Sequence, residues 1–212
     1  MKRILILSGV LVFVAFLAHG PAAKAADLSE PGWRLKLTAA SIQPTGGGSN
    51  SSLGAGLGFE YRASEHFGFE VGAVSSQVKD DLDFSFGDES FTIESSFRVT
   101  PVLARLNFHL TPGRRADLYL GPVAGWVRYG DTDVRVNVPG EGSFLAGHAK
   151  NKDGFAAGAH IGLDVPFGTR GLFFTSDATW LKAKVKPAAN SDGESSFNLD
   201  PVIVQVGLGY RF

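Results

Sequence analysis

The stretch PVIVQVGLGYRF, residues 201–212, places an apolar side chain at every second position up to the terminal Phe212. The positions between them hold Ile203, Gln205, two glycines and Arg211. Successive side chains of a β-strand point to opposite faces. This stretch therefore predicts a strand with one apolar face and one face that is small or polar.

The same alternation recurs in seven other segments of the chain. Eight strands of about ten residues have the length that a tilted strand needs to cross the hydrocarbon core of a membrane. The clearest segments are residues 53–62, 67–73, 102–109 and 155–165, and the weaker ones are residues 33–42, 118–127 and 172–184.

The connections between these segments alternate in length. Residues 63–66, 111–115 and 168–171 are tight turns, whereas longer polar stretches occupy residues 43–52, 76–97, 130–153 and 186–197. Short turns on the periplasmic side and long loops outside are typical of outer-membrane barrels. The sequence predicts an all-β fold, an eight-stranded antiparallel up-and-down transmembrane β-barrel.

A soluble lipocalin-like barrel or β-sandwich would also show alternation, with the apolar face turned inward. The second face of these strands is made largely of glycine with few charged residues, for example Gly54, Gly56 and Gly58. Glycines suit a crowded lumen better than a surface that meets water, which favours the membrane barrel. The alternation of Leu82, Phe84 and Phe86 also predicts that the second hairpin extends beyond the bilayer.

The first 25 residues have the pattern of a cleaved signal peptide, with a basic start, an apolar stretch and Ala23-Lys24-Ala25 at the expected cleavage site. Residues 26–212 would then form the barrel, integral to a bacterial outer membrane. Removing the signal takes away three of 20 basic residues and none of the 21 acidic ones, which leaves a net charge of −4. This charge gives no reason to expect nucleic acid. With no cysteine the chain has no disulfides.

Several motifs carry a resemblance to a known family. Residues 198–202 (Asn-Leu-Asp-Pro-Val), leading to the final Gly-Tyr-Arg-Phe, look like the closing strand of the OmpW family of small outer-membrane barrels. Trp33 with residues 37–40, Thr100-Pro101, residues 119–121 and residues 154–164 are similar to other strands of that family.

This resemblance implies three things. Tyr210 and Phe212 would form the signal read by the barrel-assembly machinery, physically an edge strand offered for pairing. The lumen would admit or bind a small hydrophobic solute. On the seventh strand, however, Thr179 stands where the family is thought to place an inward aromatic residue that helps gate the channel.

Polar residues on the inward parity are the candidate site, and they need partners because an isolated buried charge is very costly. They could form a salt-bridge plug or a selectivity element along a solute path. The candidates are Glu60, Arg62, Glu70, Arg105, Asn107, His109, His160, Asp164, Asp177, Gln205 and Arg211.

Catalysis is the third interpretation, in the form of a barrel that modifies lipid A. Both His109 and His160 lie on the inward parity, and no serine partner is evident, so we expect no enzyme, no catalytic residue, no metal and no cofactor. The predicted function is a passive channel or binding site for small hydrophobic solutes. The alternative is a plugged structural or adhesive surface barrel. Expected partners are outer-membrane lipid, lipopolysaccharide and the assembly machinery.

Overall fold

The computed structural model of the protein describes residues 28–45, 50–51, 53–86, 89–138, 142–168, 170–187, 197–198 and 200–212. The predicted signal segment, residues 1–25, lies outside these ranges. Among the residues described, no helix is long and apolar enough to cross a membrane. The strands are β1 (Gly32–Gln43), β2 (Asn50–Ser51), β3 (Leu53–Arg62), β4 (Phe67–Phe86), β5 (Glu89–His109), β6 (Asp117–Tyr129), β7 (Thr132–Val138), β8 (Gly142–Ala149), β9 (Asn151–Lys152), β10 (Gly154–Pro166), β11 (Leu172–Pro187), β12 (Phe197–Asn198) and β13 (Val202–Arg211).

Eight of these strands close into a ring in which each strand is antiparallel to both neighbours. The order around the ring is β1, β3, β4, β5, β6, β10, β11, β13 and back to β1. Barrel strands that follow one another along the chain are neighbours in the ring, and closure leaves the barrel itself without a free edge. The predicted eight-stranded antiparallel up-and-down barrel is confirmed.

The tight turns and both ends of the described chain gather at one end of the barrel. The Phe212 N–H donates to the Trp33 carbonyl at 3.0 Å, and the Arg211 N–H donates to the Gly171 carbonyl at 2.9 Å. The turn that ends at Gly171 uses a φ of +75°, which a residue without a Cβ adopts at no cost. Because short turns mark the inner side of outer-membrane barrels, we call this the periplasmic end and the opposite one the outer end.

The apolar parity of the strands faces outward. Leu37, Leu57, Trp126 and Ile161 are each at least half exposed on the barrel wall, whereas their chain neighbours on the other parity are buried or half-buried. A wall of exposed aliphatic and aromatic side chains around a buried interior is the arrangement that a hydrocarbon environment requires. This outward apolar face is what separates the fold from that of a soluble barrel.

Two strands continue well beyond the ring. Strands β4 and β5 are 20 and 21 residues long, about twice the length needed to cross a membrane. Their outer halves pair from Ser76 opposite Val99 to Phe86 opposite Glu89, as the predicted hairpin extension requires. The outer half of β5 also pairs with β7, and β7 pairs with β8.

The structure corrects one loop assignment, because residues 130–153 contain the β7–β8 hairpin. Val134, Val136 and Val138 alternate there with polar residues, a period-two signal inside a stretch that its glycines and aspartates marked as a loop.

Candidate functional site in the barrel lumen

Two layers of side chains with different chemistry fill the lumen. An eight-stranded barrel is just wide enough for side chains to fill it. Toward the outer end lies an apolar layer, composed of Ala40, Ile42, Val74, Val78, Val99, Leu103, Val123, Val127, Tyr129, Ala156, Leu181, Ala183 and Ile203. Toward the periplasmic end lies an ionic layer, composed of Arg34, Lys36, Glu60, Arg62, Glu70, Arg105, Asn107, His109, Asp117, Tyr119, His160, Asp164 and Asp177.

Lys36 lies at the centre of the ionic layer. Its Nζ is 2.8 Å from Glu70 Oε2 and 3.0 Å from Glu60 Oε2. Asp164 Oδ2 is 3.7 Å away, and the ammonium also lies 4.6 Å from the ring centroid of Tyr119. One cation on β1 therefore joins carboxylates from β3, β4 and β10 across the lumen.

His109 links a second group of charges nearer the periplasmic end. Its Nε2 lies 3.0 Å from Glu60 Oε1 and its Nδ1 lies 2.9 Å from Asp117 Oδ2. Arg62 donates to the same Asp117 oxygen at 2.5 Å, and the Asn107 amide donates to Glu60 at 2.9 Å. Each carboxylate in this group therefore has more than one donor nearby.

Asp177 anchors a third group on the opposite wall. The His160 Nδ1 lies 3.0 Å from Asp177 Oδ2, and the Thr179 hydroxyl donates to Asp177 Oδ1 at 2.6 Å. Arg105 lies 4.0 Å from Asp177 and also donates to Glu70. Arg105 therefore joins this group to the carboxylates around Lys36.

The segment before β1 folds across the periplasmic mouth. The Leu28 carbonyl accepts hydrogen bonds from Arg34 and from Arg62, the latter at 2.7 Å, and the residue is only 3% exposed. Arg62 also donates to the Ser64 and Glu65 carbonyls in the first turn. Hydrogen bonds from these two arginines therefore connect the segment before β1 and the first periplasmic turn to the ionic layer.

The buried charges of the ionic layer lie close to charges of opposite sign. Among its described members, four permanent cations face five carboxylates, with two histidines between carboxylates or beside one. An ion crossing the layer would have to replace partners that already compensate buried charge, at high cost. No group of side chains in the described part of the chain has the composition and geometry to hold a metal ion.

The apolar layer is equally dense. Ile42, Val78, Val99, Leu181 and Ile203 have no solvent-accessible surface at all. Such packing resembles a protein core more than the lining of a water-filled pore. Dense aliphatic packing toward the outer end is therefore followed by buried salt bridges toward the periplasmic end.

The lipid-facing wall carries a shallow apolar hollow of about 650 Å³ over β6, β10 and β11. The outward side chains at its centre are small, namely Pro122, Ala159 and Ala178, while Leu120, Ile161 and Trp180 stand around them. The hollow therefore arises where short side chains coincide on three adjacent strands.

Another polar group lies outside the barrel, on the β7–β8 hairpin. His148 Nδ1 is 2.9 Å from Asp133 Oδ1, and His148 Nε2 is 3.1 Å from Asp131 Oδ2. These two hydrogen bonds, led by the one to Asp133, raise the pKa of the exposed His148 imidazole above its usual value. The charged form of His148 therefore joins the start of β7 to the end of β8.

Comparison with known proteins places this architecture in a family. Residues 10–212 match the family model described as outer membrane protein beta-barrel domain. The chain belongs to that family. It is accordingly an integral β-barrel of the outer membrane, in contact with membrane lipid.

Among the solved structures that align with the chain, that of outer membrane protein AlkL shares its fold. The solid-state NMR structure of outer membrane protein AlkL in DMPC lipid bilayers aligns with a TM-score of 0.53 and 15% identity, over 92% of this chain and 96% of that one. Neisserial surface protein A aligns at 0.46 with 12% identity, over 85% and 96% of the two chains. Ail, the attachment invasion locus protein of Yersinia pestis, aligns at 0.42 with 15% identity, over 86% and 97%. No curated protein sequence matches the chain.

Within this outer-membrane β-barrel, the structure brings most of the sequence-derived candidates together. Asp177 is 9% exposed, and Gln205 lies just above the ionic layer, where the Thr38 hydroxyl donates to it at 2.9 Å. Arg211 is the exception, since it lies at the periplasmic rim, 20% exposed and 2.5 Å from Glu30. It cannot line the lumen because the last residue of β13 is already level with the turns. Nine candidates are buried in the interior, namely Glu60, Arg62, Glu70, Arg105, Asn107, His109, His160, Asp164 and Gln205.

Sequence reasoning left four members of the ionic layer out of the candidate site. Arg34 and Lys36 alternate with Trp33 and Leu35 in β1, so the period-two pattern already placed them inward. Asp117 and Tyr119 were harder to find, because β6 is apolar on both faces beyond them. The parity of Leu120, which faces lipid, was the signal that would have assigned both to the lumen.

Proposed function

We propose that this chain is an OmpW-like outer-membrane barrel, not an enzyme, that binds small hydrophobic solutes in the apolar layer of its lumen. The observation that carries the proposal is the division of the lumen, with aliphatic side chains toward the outer end and paired charges toward the periplasm. An apolar solute in the outer half would leave water for hydrocarbon contact, a gain of about 25 cal/mol per Å² of apolar surface.

In this proposal the ionic layer limits how far a solute can enter the lumen from the outer end. An uncharged apolar molecule offers no hydrogen bond or charge to the ionic layer, so it stops above Lys36, whose ammonium faces three carboxylates. A solute must also displace packed side chains such as Ile42 and Ile203, because these have no accessible surface at rest. We therefore propose modest affinity and no steady ion conductance.

Methyl NMR of the protein in lipid nanodiscs tests solute binding. Addition of octane should shift the methyl resonances of Ile42, Leu103 and Ile203 in a saturable way. Val123 belongs to the apolar layer, so Val123→Thr should weaken that response, since it places a hydroxyl where the solute would bind. Val71→Thr is the matched control, because Val71 faces lipid and is 45% exposed. An identical response in both variants would show that octane acts only through the bilayer.

Planar-bilayer recordings test the plug. The wild-type barrel should be electrically silent, because neither layer offers a hydrated path. Arg105→Gln leaves Glu70 and Asp177 without their shared cation, and it should introduce openings. Steady wild-type conductance would overturn the closed ionic layer without deciding whether solutes bind above it.

A second candidate function is a plugged barrel that acts through its outer surface. The specific observation in its favour is the hairpin β7–β8, which continues the sheet outward from β5 and exposes Phe144 and Leu145. A partner such as lipopolysaccharide or a host surface would meet this hairpin first. Replacing residues 132–149 by a short linker should abolish adhesion of expressing cells and leave octane binding intact if this candidate is correct.

We propose in addition that Tyr210 and Phe212 form the signal read by the barrel-assembly machinery. Both side chains are exposed on the lipid face, at 41% and 66%, with ring centroids 5.2 Å apart. Phe212→Ser should reduce the amount of barrel assembled in cells, with little effect on refolding in detergent. Phe67→Ser changes an exposed aromatic residue near the same end and serves as the control.

A further inference from the structure

Proline interrupts the hydrogen-bond ladder between β5 and β6 inside the barrel wall. The ladder runs to Arg105 opposite Val123 and resumes at Phe108 opposite Leu120. The two residue pairs between them, which include Leu106 opposite Pro122, are missing. Proline has no N–H to donate, so one carbonyl of β5 loses its backbone partner here.

The ladder on either side identifies that carbonyl. The Leu110 N–H donates to the Leu118 carbonyl, and the Gly130 N–H donates to the Arg98 carbonyl, both at 2.7 Å. Facing residues of an antiparallel pair alternate between bonded and non-bonded pairs. Even-numbered residues of β5 and β6 are therefore the bonded ones, and the Leu106 carbonyl is the group that an N–H at position 122 would have reached.

A histidine on β10, which is separated from β5 by β6, reaches this carbonyl. His160 on β10 places its Nε2 3.3 Å from the Leu106 oxygen, within range for the Nε2–H to donate. Its Nδ1 lies 3.0 Å from Asp177, which fixes the orientation of the ring. The ring crosses the inner face of β6 beside Gly121, which faces His160 in the ladder. A Cβ on Gly121 would collide with the Leu106 carbonyl oxygen.

We propose that His160 is a positioning residue that latches the barrel wall from inside, by supplying to Leu106 the hydrogen bond that Pro122 removes from the ladder. Water cannot satisfy the carbonyl from the other side, because the lipid-facing surface at Pro122 is the apolar hollow. An unsatisfied backbone group in a hydrocarbon environment is costly, so the latch stabilises the contact between β5 and β6. The latch does not depend on whether the lumen binds a solute.

Pro101 is a second proline in β5 and provides an internal comparison, because it removes an N–H from the ladder between β5 and β4. The His109 N–H donates to the His66 carbonyl at 2.9 Å, so odd-numbered residues of β5 bond to β4, and Pro101 falls opposite Val74 in a gap of that ladder. The hydroxyls of Ser75 and Thr100 lie 3.2 Å apart beside this gap. Both ring nitrogens of His160 are engaged elsewhere, so His160 has no part in it.

A double-mutant cycle tests the latch on the full-length barrel refolded in lipid vesicles. Pro122→Ala returns an N–H to the ladder and should make His160 dispensable for Leu106. His160→Ala should lower the ratio of folded to unfolded protein about fivefold more in the wild-type background than in the Pro122→Ala background, the factor for one net hydrogen bond. Loss of the Asp177 contact occurs in both backgrounds and cancels. The Pro101→Ala background should leave the effect of His160→Ala unchanged.

A spectroscopic measurement covers the case in which His160→Ala fails to fold. The carbonyl ¹³C resonance of Leu106 should move in Pro122→Ala alone, and the new backbone amide at position 122 should exchange slowly with solvent as a ladder amide does. The latch would be overturned if His160→Ala lowered the stability of the barrel equally in the wild-type and Pro122→Ala backgrounds. Rapid solvent exchange of the new amide at position 122 would also overturn it.

Discussion

Lys36 has three carboxylate partners in the ionic layer, since Glu60, Glu70 and Asp164 all lie within 3.7 Å of its ammonium. Lys36→Met keeps the length of the side chain and removes the charge. We expect the free energy of unfolding to fall by about 3–5 kcal/mol, the usual cost of leaving buried charges without their partner. Reversible urea unfolding in lipid vesicles measures it.

Lys182→Gln is the control for that variant. Lys182 lies 3.2 Å from Asp200, but its side chain is 67% exposed, so its removal should change the free energy of unfolding by less than about 1 kcal/mol. Similar losses in the two variants would mean that the ionic layer is hydrated.

His148 should make the outer hairpin sensitive to pH. Hydrogen bonds to Asp133 and Asp131 raise the pKa of His148 in the folded protein. The stability that His148 contributes is therefore fully present below the ordinary pKa of about 6.5 and is lost as the pH rises through the raised value. Amide hydrogen exchange in β7 and β8, corrected for intrinsic rates, should show protection falling over that range.

His148→Asn should abolish this pH dependence, because asparagine does not titrate. His66→Asn changes a histidine in a periplasmic turn and should leave the outer hairpin as it is in the wild type. Protection that falls over the same range in His148→Asn would assign the effect to another group.

At the scale of single elements, the turn that joins β10 to β11 depends on Gly171. Its φ is +75°, and a Cβ there would lie 2.6 Å from the Arg211 carbonyl oxygen. Gly171→Ala should cost at least about 1 kcal/mol of unfolding free energy, from backbone strain and displacement of the end of β13. Gly147→Ala in β8 should be near neutral, because nothing lies within 4 Å of the added methyl group.

The period-two pattern predicted the barrel strands and their faces well, for a physical reason. Lipid outside and crowding inside impose opposite requirements on adjacent residues, and β1 shows both in Trp33, Arg34, Leu35 and Lys36. The pattern failed where only one requirement acts. Strand β6 has an apolar lumen face above Tyr119, so its alternation disappears there. The β7–β8 hairpin does alternate, at Val134, Val136 and Val138, but the glycines and aspartates of the stretch marked it as a loop.

Individual partners within the lumen could not be predicted from the sequence. The contact of Lys36 with Asp164 or of Arg105 with Asp177 depends on the stagger between strands that are three positions apart around the ring. Period-two parity determines which face a side chain occupies, but it does not fix the position of one strand relative to another along the barrel axis. The division of the lumen into an apolar and an ionic layer was hidden for the same reason.

At the scale of the whole molecule, the stability of the barrel should respond weakly to salt. Its principal ion pairs are buried, and buried pairs are screened far less than exposed ones. Between about 0.1 M and about 1 M sodium chloride, the free energy of unfolding should change by less than about 1 kcal/mol. A steep decline over this range in urea titrations would mean that electrolyte reaches the interior.

The Leu28 carbonyl accepts hydrogen bonds from Arg34 and Arg62, which makes the segment before β1 part of the closure at the periplasmic end of the barrel. If export processing ends after Ala25, as the sequence predicts, only two residues separate the new terminus from Leu28. Fluorophores and affinity tags should therefore be attached on the outer side of the barrel, between β7 and β8. A tag fused before Leu28 would compete with this segment for space and could displace the Leu28 carbonyl, which both arginines share as an acceptor.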